Sequence, residues 1–214
     1  LVAGAASFET YFEGVDFEGS KDDRAVSPEP LESDSWVEID TPPGIDAANQ
    51  IPVALSALSA NPIEDALSLI VESNQVCIAN DSYIHYERRW DSDEAAFEDG
   101  SADILRATAV VRYSSFIAEA WIREEQDFRR VELDDGRVAV FERSWSEEEF
   151  LSDNESASWQ QRFALNVWIP RESDGKVMRH LAFWSEATIP GIGPDVYASL
   201  VKDALEEGFV NEDA

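Results

Sequence analysis

Two histidines, one cysteine and a large surplus of carboxylates are the groups in this sequence whose chemistry goes beyond packing. His85 and His180 each stand in a strand-like stretch among aromatic or arginine neighbours, so a strand position takes precedence over general acid-base or metal chemistry. Cys77 precedes His85 by eight residues, and across a turn an imidazole can deprotonate a thiol. Packing is the more ordinary use of a single cysteine. A lone cysteine also excludes an intramolecular disulfide and a cysteine-based zinc cage.

Carboxylates occur in clusters such as Asp91-Ser92-Asp93-Glu94, Glu98-Asp99, Asp134-Asp135 and Glu147-Glu148-Glu149. Paired acids of the kind used on glycosides can be nominated almost anywhere among them, which leaves each nomination without force. Asp91 and Asp93 open like a calcium loop, but Ala96 and Ala102 fill the positions that require glycine and glutamate. Weak binding of divalent cations to such clusters is expected on electrostatic grounds, and no defined metal site follows from it. Nucleophile elbows, phosphate loops, dinucleotide fingerprints and zinc-helix motifs are all missing, so no cofactor is expected.

Arginines concentrate between Arg106 and Arg143. They pair with acids across strands or line a pocket for an anionic ligand. Arg112, Arg123 and Arg143, with the aromatic surfaces of Trp121 and Trp145, are the candidates for such a cleft.

The net charge is −29, from 45 acids against 16 cations. Such a surface repels nucleic-acid phosphates and anionic membranes, and favours a basic protein partner, salt or divalent cations. Lysine occurs only at Lys21, Lys176 and Lys202, a preference for arginine that fits both a salt-adapted surface and a coding bias. The small residues Leu1 to Ser7 resemble a signal-peptide cleavage region, which suggests export or a lumenal site, and no apolar run is long enough to span a bilayer.

The elements that must position these groups fall into two zones. Residues 1–50 hold twelve acids against Lys21 and Arg24, and are broken by prolines, so they are expected to form an extended acidic arm. Within it Phe8, Tyr11, Phe12 and Phe17 alternate with acids that include Asp16 and Glu18, a pattern suited to ordering on a partner or to packing on the chain's own domain. Residues 51–214 are expected to form a single α+β domain, an antiparallel sheet built from hairpins and covered by a C-terminal helix. A short strand is expected at Trp36 to Ile39. Asn61-Pro62-Ile63-Glu64 predicts a capped helix with Ile63, Leu67, Ile70 and Val71 on one face.

Val76, Ile78 and Tyr83 to Trp90 predict strands around an Asn80-Asp81 turn, and Asp91 to Gly100 a surface loop. Residues 101–124 fit a helical stripe and a strand pattern, and strands broken at Ser114-Ser115 are preferred. Asp134-Asp135-Gly136-Arg137 and Ser173-Asp174-Gly175-Lys176 each predict a tight hairpin. Pro194 starts a last helix with Val196, Tyr197, Leu200, Val201, Ala204 and Leu205 on one stripe, ending at Gly208.

These features point first to a non-catalytic binding or accessory subunit that docks another protein through its acidic-aromatic arm. The alternatives are an inhibitor whose carboxylates imitate nucleic acid, and a small-molecule-binding or enzyme domain with a cleft between the sheet and the C-terminal helix.

Overall fold

Alternation of large apolar with polar residues drives much of the chain after residue 82 into long antiparallel strands. The computed structural model of the protein describes residues 2–26, 50–59, 61–72, 75–77, 83–114, 118–146 and 148–212. Among these, nine strands form one antiparallel sheet: β1 (Ala25–Val26), β2 (Ile51–Ser59), β3 (Tyr83–Trp90), β4 (Ile104–Ser114), β5 (Glu119–Glu132), β6 (Val138–Ser146), β7 (Phe150–Leu151), β8 (Ser158–Pro170) and β9 (Val177–Thr188). Their spatial order is β1-β2-β9-β8-β6-β5-β4-β3, with β7 added beside β8. The helices are α1 (Val2–Phe12), α2 (Lys21–Arg24), α3 (Ile63–Val71), α4 (Glu94–Glu98) and α5 (Pro194–Glu212), and a 3-10 turn lies at Gln75–Cys77. The expected α+β class, an antiparallel sheet with a C-terminal helix against it, is what forms.

Both aspartate-glycine sequences make the hairpins their chemistry dictates. Gly136 and Gly175 take φ values of +86° and +73°, a region that costs a residue with a side chain. They join β5 to β6 and β8 to β9. Residues 104–114 and 119–132 are strands, so the β-branched and aromatic pattern outweighs the helical one there. The expected strand at Trp36 to Ile39 and the Asn80-Asp81 turn lie outside the described residues.

Four local expectations change. Val76, expected in a strand, lies in the 3-10 turn. Pro62, not Asn61, occupies the cap position of α3 and no side chain caps it. The acidic loop after β3 contains α4, because Asp93 Oδ1 accepts from the Ala96 N–H at 3.2 Å and so caps the helix. Phe97 on α4 is then fully buried. The last helix runs through Gly208 instead of stopping there. Glycine ends a helix by turning left-handed, and Gly208 is not among the glycines with positive φ.

Each strand presents alternate residues to two faces, and here helices pack on both. On one face, Phe141, Phe163, Leu165, Val167, Ile169 and Trp184 pack with Phe8 and Phe12 of α1. On the other, Leu55, Ala57 and Leu181 meet Leu205 of α5. Beside α5 on that same face, Leu67 and Ile70 of α3 and Phe97 of α4 pack on Leu105, Phe128, Val140 and Trp168. The segment expected as an extended arm therefore begins with a helix that covers the outer face of the domain's own sheet.

Candidate functional site

Between the inner face of the sheet and α3 and α5 lies a cavity of about 730 Å³. Helix α5 is held over it at one end by a 2.8 Å hydrogen bond between the Tyr197 and Ser185 hydroxyls. Tyr197, Leu200, Val201, Ala204 and Leu205 form its roof, whereas Val196, expected on the same stripe, is exposed. Leu181, Phe183, Ile122 and Trp159 supply apolar wall from the strands. The volume lies within the ~300–1,000 Å³ range of small-molecule sites.

Polar groups reach this cavity from alternate positions of five strands. Register pairs Glu142 of β6 with Asn166 of β8, and the Asn166 amide donates to Glu142 Oε2 at 2.9 Å. Arg179 of β9 donates to Asn166 Oδ1 at 3.3 Å. On the far side, Arg88 of β3 donates from Nε to the Tyr86 hydroxyl at 2.9 Å and from Nη1 to the Ile70 carbonyl. Tyr86 in turn exchanges a hydrogen bond with the Gln126 side chain of β5, at 3.1 Å from Nε2. The Arg88 guanidinium lies 4.6 Å from the centroid of Trp90 and 5.1 Å from that of Tyr86, both within cation–π range. Glu124 is paired with Arg162 on the same wall.

This setting shifts the acids. Burial pushes the Glu142 carboxyl above the usual carboxylate range, against the opposing pull of Arg88, the Asn166 hydrogen bond and Arg179. The part of Glu142 that remains accessible faces the cavity, so its surroundings disfavour charge even though it is not closed off. Burial also raises the Tyr83 and Tyr86 hydroxyls, which stay protonated. The arrangement can hold an apolar body against α5 and hydrogen-bond a polar end through Arg88, Tyr86, Glu142 and Asn166.

The residues singled out from sequence fall elsewhere. Arg112, Arg123, Arg143, Trp121 and Trp145 sit at the alternate strand positions, on the outer face, and none lines the cavity. Arg112 bonds Glu119 and Asp153, each at 2.7 Å. Arg143 binds Asp127, which Arg129 also holds at 3.0 Å. Trp145 packs on the outer-face core and Trp121 is nearly half exposed. Phe8 and Phe12 are buried, and Tyr11 and Phe17 pack against the same cluster. Asp16 and Glu18 remain on the surface, the Asp16 carboxylate accepting from the Glu18 N–H at 3.2 Å.

His180 is buried on the outer face, its Nδ1 3.0 Å from Ser56 Oγ, which lies 3.1 Å from the Tyr11 hydroxyl. His85 is partly exposed on β3, with Nε2 3.1 Å from Glu87 Oε1. Among the described residues no group of three or more His, Cys, Asp or Glu is placed to hold a metal ion. No helix among them is long and apolar enough to cross a membrane.

The cavity residues that sequence reasoning missed, Arg88, Glu142, Asn166 and Arg179, carried a signal in their spacing. In β8 the run Arg162, Ala164, Asn166, Trp168 alternates with Phe163, Leu165, Val167, Ile169. The second set marks one face as fully buried, and Ala164 and Trp168 within the first set are the sign that the other face is not simply solvated.

No protein-family model and no curated protein matches the sequence. Solved structures do. A protein from Thermus thermophilus superposes with a TM-score of 0.51 at 14% identity, covering 76% of this chain and 94% of that one. A STAR-related lipid transfer protein from Xanthomonas axonopodis gives 0.49 at 10% identity, covering 79% and 94%. A START superfamily protein from Mycobacterium smegmatis gives 0.43 at 10% identity, covering 76% and 94%. At these identities the likeness is one of fold, and the Thermus protein carries it.

The shared sheet-and-helix fold, with a cavity of this size inside it, overturns the expectation of an accessory subunit docking a protein through its arm. The aromatic residues expected at a partner's surface pack on the chain's own sheet, and the cavity lies on the sheet's other face. What the structure contains instead is a cleft between the sheet and the C-terminal helix, the geometric part of the alternative expectation.

Proposed function

We propose that this chain binds an apolar small molecule in the space between the inner face of its sheet and α5. The observation that supports the reading is the cavity of about 730 Å³, walled by apolar side chains, into which a few polar groups converge. A core of ordinary density leaves no space of this size between a sheet and the helix packed on it. Retaining one under α5 is explained by an occupant.

The experiment is a titration with a polarity-sensitive anilinonaphthalene dye at neutral pH. Saturable binding of one dye per chain is expected, abolished by Ala164→Trp, which fills the cavity from β8, and unaffected by Trp121→Ala on the outer face. Equal dye binding by the wild type and Ala164→Trp, with both proteins giving the same cooperative melt, contradicts the proposal.

A further inference from the structure

Three cations and three acids line the cavity, and their pairing is unequal. Arg162 is joined to Glu124, so that pair is neutral. Glu207 comes from α5 and Arg179 from β9, and both have further contacts. Arg88 is different. Among the described residues it forms no ion pair, and two of its five N–H donors are used, on Tyr86 and the Ile70 carbonyl. Its charge rests on the faces of Tyr86, Trp90 and Phe128. Glu142 is the acid that acts on it through space, and Oε2 of that acid is taken up by Asn166.

From this geometry we infer that the ligand carries a single carboxylate, seated on Arg88, with Tyr86 and Glu142 as hydrogen-bonding neighbours and its apolar body under α5. The inference rests on the cavity being a ligand site. A partly buried cation without a counter-ion is costly, and a carboxylate offers the planar pair of acceptors that suits the remaining guanidinium donors. One negative charge matches one cation without an ion pair, whereas a dianion would leave a charge unpaired beside the apolar walls. Glu142 fits beside an anion as a neutral acid, a form that its burial favours. Tyr83 and Tyr86 on β3 stay protonated for the same reason, so no further anion competes from that strand.

The test compares dodecanoate, dodecanol and dodecylamine by isothermal titration at pH 7, below their micellar concentrations. A surface of net charge −29 attracts the amine and repels the carboxylate, so nonspecific association gives the order opposite to the proposed one. Dodecanoate is expected to bind about tenfold or more tightly than dodecanol, and the amine most weakly, the gain being that of a charge-assisted hydrogen-bonded pair. Arg88→Gln should erase the preference for dodecanoate while leaving dodecanol binding in place. Glu142→Gln should hold dodecanoate affinity within about threefold, as a neutral isostere of a neutral acid.

Dodecanol binding as tightly as dodecanoate in the wild type overturns the inference and leaves the cavity reading standing. Binding of neither overturns both. Tightening of dodecanoate by about tenfold in Glu142→Gln contradicts the neutral role of Glu142, since it would mean that a charged carboxylate had been removed. The wild-type ranking decides the sign without any variant, so misfolding of Arg88→Gln does not rescue the inference.

Discussion

Replacing His180 should remove a pH dependence of stability that this structure builds in on the outer face. His180 is buried among Phe8, Tyr11 and Phe12, with ring centroids at 5.3, 5.2 and 6.4 Å, and its Nδ1 meets the Ser56 hydroxyl. Burial holds it down to about 3, against an ordinary value of 6.5, so it is neutral in the folded protein through the whole physiological range. The unfolded chain binds a proton that the folded one refuses once the pH falls below 6.5. The stability is therefore fully present above that value and is lost as the pH drops toward 3. The full difference corresponds to about 5 kcal/mol, and between about pH 7.5 and about pH 5 the loss is about 2 kcal/mol.

The lower limit of about pH 5 keeps the protein above its isoelectric point near 4.1. Glu142 opposes this trend, since its raised value favours folding as the pH falls, and so does the relief of charge repulsion. Both are common to wild type and variant and cancel in the comparison. Urea unfolding followed by tryptophan fluorescence at several pH values should show wild type losing about 2 kcal/mol more than His180→Gln over this window. Parallel pH profiles, with a constant offset, would refute a neutral buried imidazole.

Three further outcomes follow from the packing and the charge. Phe97→Ala empties a fully buried ring position under α3 and should cost about 3–5 kcal/mol in urea unfolding, while an effect below about 1 kcal/mol would contradict the packing of α4 on β4 and β5. Deleting residues 1–12 uncovers the outer face of the sheet and should destabilise the protein by at least about 3 kcal/mol, the burial of Phe8 and Phe12 alone. An unchanged melting curve after that deletion would show that α1 is not part of the fold. Raising potassium chloride from about 0.1 M to about 1 M shortens the Debye length from about 10 Å to about 3 Å, and should raise Tm through screening of the −29 surface, where a flat profile would mean that repulsion is not limiting.

Much of the fold was legible because its signals are local. Gly136 and Gly175 follow aspartates in tight turns, and the stripe from Tyr197 to Leu205 can face only one way on a helix. The position of the site was not legible, for a reason rooted in strand geometry. Alternation separates two faces and does not say which is covered by what. Phe141, Phe163 and Trp184 mark a buried face, and the ordinary inference sends the intervening Glu142, Asn166 and Arg162 to solvent. Here those residues face an interior space, because α1 covers the apolar face and α5 spans the polar one.

The same ambiguity drew attention to Arg112, Arg123 and Arg143, which lie outside, whereas the cavity arginines are scattered over three strands distant in sequence. The role of α1 was hidden likewise. Phe8 and Phe12 alternate with acids as well for a partner's surface as for their own, and only the outer face of the sheet, assembled from β2, β5, β6, β8 and β9, reveals what they cover.

Whether a ligand sits on the inner face of the sheet beneath α5 is decided by intermolecular nuclear Overhauser effects between the bound anilinonaphthalene dye and assigned aromatic and methyl protons. Contacts to Phe183, Leu181, Tyr86 and Leu205, with none to Phe141 or Phe8, are predicted. Contacts confined to outer-face residues such as Trp121, or to α1, would contradict binding inside the domain.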